Sequence, residues 1–180
     1  MQLILHIHIT AHVAGNYTLD LTRFVVQVTK RKIPMFQAMA ISTFMVLLTV
    51  IIHYEGLQII SRLQRRIALV GRPAIVGSIT CLFALHTIEM WLYALAYLLM
   101  EHFDAGEFSG EFAGTLSDYL YFSATSYTSL GLGDVYPHGA IRLVTGVEAL
   151  NGLMLIGWSA SYSYLVMERL WGSPGERPSD

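Results

Sequence analysis

Three stretches of this chain are so long and so poor in charge that they leave it few ways to fold in water. Pro34 to Ile52 contains no charged residue, Pro73 to Met100 holds only His86 and Glu89 as ionisable groups, and Leu143 to Met167 holds only Glu148. A helix needs about 20 mainly apolar residues to cross a bilayer. A backbone in lipid must satisfy its own hydrogen bonds, which restricts such crossings to helices or closed barrels. The spacing predicts three membrane-spanning helices. Composition agrees: 54% of the 180 residues are hydrophobic and 13% are charged, against about 25% charged in a soluble domain. A net charge of −2 argues against nucleic acid, which normally needs a basic face. The lone Cys81 lies in an apolar run, so no intrachain disulfide is expected and the thiol reads as a small hydrophobe.

Charge sets the orientation. Arg62, Arg65, Arg66 and Arg72 lie between the first two spans. Between the second and third, Glu101 to Asp134 also carries Asp104, Glu107, Glu111 and Asp118, with no Lys or Arg. The positive-inside rule places the arginine loop in the cytoplasm and the acidic loop outside. Within the 34–72 region, Ile59, Leu63, Ile67 and Val70 recur at helical spacing, with Arg62, Arg65 and Arg66 on another face. Two readings stand: a basic amphipathic helix lying along the inner surface, or a first helix that continues into the cytoplasm. His53, Tyr54 and Glu55 are expected where the first span meets water.

Residues 1–33 fit this scheme less well. Leu3 to Val13 alternates apolar residues with His6, His8, Thr10 and His12, a strand period, and Leu21, Phe24, Val25 and Val28 fall at helix spacing. If the first stretch spans, Lys30, Arg31 and Lys32 lie outside, against the charge rule. Either that stretch does not fully cross, or the chain begins at Met35. No cleaved signal peptide is expected. His6, His8 and His12 offer metal ligands, though histidines at a chain start ordinarily bind none. Gly172 to Asp180 is expected to be disordered.

Thr115 to Thr128 is too short and polar to span, yet rich in aromatics, and leads into Ser129-Leu130-Gly131-Leu132-Gly133-Asp134. A short helix that enters the membrane and returns as extended backbone is tolerated where it lines a water-filled cavity. Backbone carbonyls can replace the hydration oxygens of an ion. Aiming successive carbonyls at one axis requires alternation between ordinary and left-handed backbone, which glycines at 131 and 133 permit. Ser129 adds a hydroxyl at the inner mouth. Leu130 and Leu132 are expected to point away from the ion and pack against the pore helix. Taken alone, G-x-G-D also fits a glycine turn in an outer loop; the acidic loop before it and the apolar span after it favour a filter.

Thr128-Ser129-Leu130-Gly131-Leu132-Gly133-Asp134 resembles the T-T-V-G-Y-G-D signature of potassium channels. From about Pro73 to Trp171 the chain is similar to the bacterial two-transmembrane ion-channel-domain family. Tyr121-Phe122-Ser123, Arg142, Gly146, Glu148-Ala149, Gly152 and Gly157-Trp158-Ser159 match it. The resemblance implies an all-α membrane protein with a potassium-channel-like pore domain over 73–171, re-entrant pore helix and filter loop included, here with one added N-terminal transmembrane helix. It further implies a homotetramer in the inner (plasma) membrane of a bacterium, conduction of K⁺ or a related monovalent cation, and Gly152 as a gating hinge. Leu132 replaces the usual filter aromatic and with it a bracing hydrogen bond, which opens the filter to Na⁺. Ser129 keeps the hydroxyl of the usual second threonine.

The ionisable groups inside the spans also need partners, because an isolated charge there costs about 2.5–3.5 kcal/mol. His86 and Glu89 share a helix face at a spacing of three and either brace the filter or form a proton-sensitive switch. Glu148 is expected to bond pore-helix hydroxyls such as Thr125 or Ser126, with Asn151 a further polar group one turn below. Trp158 to Tyr164 is hydroxyl-rich, and its small residues suit close packing or a water-lined cavity. No P-loop, ligand-binding domain or arginine-rich voltage-sensor helix is present in the sequence, so pH, tension and lipid remain as gating stimuli. The chain reads as neither enzyme nor small-molecule binder, with no metal beyond the permeant cation. Two rivals are a non-conducting accessory subunit and a membrane metalloenzyme built on His53, His86, Glu89 and Glu148. The latter lacks a tight motif such as H-E-x-x-H.

Overall fold

The computed structural model describes residues 35–67 and 71–171, so the readings of residues 1–34 and of the tail lie outside it. The order of elements is α1 (Met35–Ile67), α2 (Arg72–His102), β1 (Phe108–Gly110), α3 (Leu116–Tyr127), β2 (Val135–Pro137) and α4 (Ile141–Trp171). Three of these, α1, α2 and α4, are long and apolar enough to cross a membrane, as the hydropathy pattern predicts. The chain is a multi-pass membrane protein built almost wholly of helices.

α2 and α4 enclose the short α3, and α1 packs along both α2 and α4. Pairings fix the directions. Thr49 and Ser61 of α1 meet Asn151 and Tyr162 of α4, so these two helices run parallel. His53 and Gln64 meet Glu89 and Ser78, so α1 and α2 run antiparallel. The arginine connection and the acidic loop therefore sit at opposite ends of the bundle, as the charge asymmetry requires.

α1 settles the choice between an interfacial helix and a continued one. It runs unbroken for 33 residues, about 50 Å at 1.5 Å per residue, well beyond a hydrocarbon core of about 30 Å. Its packed face at the arginine end is Leu57 and Ile60, which form a buried cluster with Leu82, and not Ile59 and Leu63, which are exposed. Gln64 continues that face, donating to the Ala74 carbonyl (3.2 Å) and contacting Ser78. Ile59 and Leu63 of the stripe read from sequence thus face outward, because α1 meets α2 through Leu57, Ile60 and Gln64.

The main core lies where the acidic-loop end of the bundle closes over α3. Tyr93, Tyr97, Phe122, Tyr127, Ile141, Val144 and Leu155 are buried there. Phe108 stacks on Phe112 with ring centroids 4.5 Å apart and meets Phe122 edge-on at 4.8 Å. Such pairs each add about 0.5–1.5 kcal/mol beyond the area they bury. Above this cluster β1 and β2 pair antiparallel, with Ser109 opposite Tyr136.

Candidate functional site

α3 is short because it is stopped at both ends. At its start Thr115 and Asp118 form a capping box, and the Asp118 carboxylate accepts the backbone N–H groups of Thr115 and Ala113, both at 3.0 Å. These N–H donors hold the Asp118 carboxyl below the usual carboxylate range. At its end the Thr125 carbonyl accepts from the N–H groups of Leu130 (2.9 Å) and Gly131 (3.1 Å), curling the chain off the helix. Thr128 closes the helix, its hydroxyl bonding the Ala124 carbonyl at 2.7 Å.

The 128–134 segment then alternates in hand. Ser129, Gly131 and Gly133 have φ of 57°, 53° and 77°. A side chain in that region costs roughly 1–2 kcal/mol, which the two glycines avoid and Ser129 does not. The sequence pointed to glycine positions alone; the third left-handed residue is new. Asp134 ends the segment and accepts a hydrogen bond from the Tyr121 hydroxyl at 2.6 Å, tying the exit to α3 and raising the Tyr121 phenol above its ordinary value. Leu130 and Leu132 do not pack against α3 of their own chain: they are 63% and 59% exposed. The face of α3 that could take them, Tyr119, Phe122, Ser123 and Ser126, is buried within the bundle.

Behind the segment lies a polar layer whose buried side-chain atoms all have partners among the described residues. Glu148 is buried and accepts from Ser123 Oγ (2.6 Å) and from the Tyr97 hydroxyl. Its partner on α3 is thus a helix hydroxyl, as expected, but that of Ser123 rather than of Thr125, which bonds the Phe122 carbonyl. Asn151 donates to Thr49 Oγ1 (2.8 Å) and to the Tyr93 hydroxyl (3.1 Å), bridging three helices. Gly152 lies against the end of α3, where an added Cβ would run into the Tyr127 carbonyl. Its missing side chain serves close packing in a helix that continues unbroken through it.

His86 and Glu89 do meet, with Nδ1 to Oε2 at 3.2 Å, but as part of a larger set. His53 does not mark a water interface. It is fully buried, and its Nδ1 lies 2.9 Å from Glu89 Oε1. Tyr127 Oη is 2.5 Å from Glu89 Oε2 and 2.8 Å from His86 Nδ1. Ser159 Oγ is 2.9 Å from His86 Nε2 and 3.3 Å from His53 Nε2. Sequence reasoning grouped His53 with His86 and Glu89 only in the metalloenzyme rival, and missed Tyr97, Ser123, Tyr127 and Ser159 as partners. The signal for His53 was present: Ser42, Thr49 and His53 keep a helical stripe of polar residues through an apolar helix.

Residues 81–169 match the family described as ion channel. The chain belongs to that ion-channel-domain family. The matched region begins within α2, takes in α3 and the 128–134 segment, and ends within α4, leaving α1 outside it. No curated protein and no solved structure matches the chain. In this channel domain, the membrane helices supply the frame, and the 128–134 segment is the stretch whose backbone departs from helix at their midst.

Proposed function

We propose that four copies of this chain surround a central path for K⁺ or a related monovalent cation, with residues 128–134 as the selectivity filter. The observation that carries this reading is the alternation of left-handed backbone at Ser129, Gly131 and Gly133 directly after a short helix. Alternating hand is what lets consecutive carbonyls share one side and replace a hydration shell. One loop supplies a quarter of each carbonyl ring, so conduction needs four. The exposed Leu130 and Leu132 support the same assembly, since a neighbouring copy gives them cover. Glu148, Ser123 and Tyr97 brace the path from behind. The site is that of a multi-pass protein of a bacterial plasma membrane, and its activity is transport rather than catalysis.

The test is flux from liposomes in K⁺, Na⁺ and Ca²⁺, with Gly131→Asp alongside and the subunit count measured by native mass. The expected result is a tetramer passing K⁺ and some Na⁺ but not Ca²⁺, silenced by Gly131→Asp. A tetramer that passes no ion leaves the accessory-subunit reading; flux that survives Gly131→Asp places the ion path elsewhere.

A further inference from the structure

The polar set at the inner face of Tyr127 is a closed ring. It runs from Glu89 to Tyr127, to His86, to Ser159, to His53 and back to Glu89. Five contacts close the ring, and each needs one hydrogen between its two heavy atoms. With Glu89 ionised and both imidazoles neutral, the available hydrogens are four: one each on Tyr127, Ser159, His53 and His86. The ring is short by one positive charge. His53 and Glu89 are fully buried, Tyr127 and Ser159 nearly so, and an unmade contact there is expensive.

We propose that this ring is a binding site for one divalent transition cation of the Zn²⁺ class. The ligands are His53 Nδ1, His86 Nδ1 and a Glu89 carboxylate oxygen, with Tyr127 Oη as fourth. The three amino-acid groups His53, His86 and Glu89 present ligand atoms all within 4.8 Å of one another. The contacts around that point, His53 Nδ1 to Glu89, Glu89 to Tyr127 and Tyr127 to His86, span 2.5–2.9 Å. A tetrahedral ion with bonds near 2.0 Å sets its ligands about 3.3 Å apart, so these contacts lengthen by about 0.4–0.8 Å. Two imidazoles with two oxygens suit Zn²⁺ and its neighbours, not Mg²⁺ or Ca²⁺.

A single extra proton would also fill the ring, but it would serve one contact. The cation replaces the three contacts around Glu89 and Tyr127 and fixes both imidazoles with Nδ1 on the metal. Both Nε2 atoms then carry hydrogen, and both face Ser159 Oγ, whose two lone pairs accept them. That is the outer arrangement a metal-bound histidine requires. If Tyr127 yields its proton on binding, the 2+ ion, carboxylate and phenolate balance to zero, as a site inside a membrane demands. His86, with 16% of its side chain exposed, is the way in.

The site joins the added helix α1 to α2, α3 and α4 at one point. It stands independently of the ion path, and its test involves no flux. The full chain, stripped of metal in detergent, is titrated with Co²⁺ in a background where His6, His8 and His12 are replaced by Gln. The expected result is one Co²⁺ per chain with the intense visible bands of tetrahedral geometry, displaced by Zn²⁺, with protons released and the thermal midpoint raised. His53→Gln and Glu89→Gln abolish the bands, with helix content by circular dichroism reporting that the fold persists. Ser159→Ala, which touches no ligand atom, weakens binding about 10- to 100-fold, and decides the matter should the ligand variants fail to fold. An absence of tetrahedral bands, bands indifferent to His53→Gln, unchanged affinity in Ser159→Ala, or uptake of a proton with no metal each overturns the proposal.

Discussion

The two polar regions of this channel domain are built on opposite plans. The 128–134 segment turns its large side chains outward, leaves Leu130 and Leu132 more than half exposed, and holds a serine in left-handed backbone. The layer behind it is buried, and its polar atoms bond one another across four helices. The first region leaves large side chains uncovered within the chain, while every buried polar side-chain atom of the second has a neighbour to bond among the described residues. A substitution in the first therefore acts on conduction with little effect on the fold, while a substitution in the second acts on the fold, and on conduction only through it.

The strongest test of this contrast is Gly131→Asp. A Cβ at Gly131 meets nothing within 4 Å in the chain, so the protomer should fold, its stability lowered by no more than the ~1–2 kcal/mol that a left-handed φ costs. Flux should fall to background, because a carboxylate and a strained φ of 53° enter the proposed filter in every copy. A large drop in melting temperature instead would place Gly131 among the residues that hold the fold. Next comes Gly152→Ala, one methyl in the buried layer. It collides with the Tyr127 carbonyl and should cost about 1–3 kcal/mol, read as a lower thermal midpoint. If Gly152 acts chiefly as a hinge, the midpoint will hold and only opening will change.

Thr49→Val probes the seam between α1 and the channel domain. It keeps the volume but removes the acceptor of the Asn151 amide, which retains Tyr93. The expected loss is about 1 kcal/mol, and a loss near zero would show α1 to be loosely held. The smallest effect belongs to Asp118, at the exposed start of α3. Its carboxyl lies below its unfolded value because it accepts N–H bonds only in the folded helix. Its contribution is therefore present above the unfolded pKa and fades as pH falls through the folded one. Amide exchange at the first turn of α3 should be faster in Asp118→Asn than in wild type at neutral pH, and the two should converge in acid.

What could be read in advance was whatever repeats along one element. The three long apolar helices and the short helix between the last two follow from hydropathy and from a polar aromatic stretch too short to cross. What could not be read was which residues meet across elements. His53 and Glu89 are 36 positions apart, and Tyr97 and Glu148 are 51 apart. Their meeting depends on how far α1 and α4 slide along α2, and no local pattern sets that register. Leu130 and Leu132 were misplaced for a related reason: their alternation with glycine gives their side of the strand, but not whether their own chain covers them. Gly152, matched as a hinge, makes the same point: its contact with the Tyr127 carbonyl is visible only once α3 is in place.

The short ribbon above the core carries one more consequence. Gly110 faces Val135 across it, the Glu111 N–H bonds the Asp134 carbonyl at 2.9 Å, and Gly110 sits so close to that carbonyl that no side chain fits between them. The acidic loop and the end of the 128–134 segment thus move as one piece of backbone. Anything that grips the loop from outside, such as an antibody, a cationic peptide or a neighbouring protein, takes hold of residue 134 without touching it. The loop is a handle on the mouth, and a grip on it is felt where Asp134 meets Tyr121.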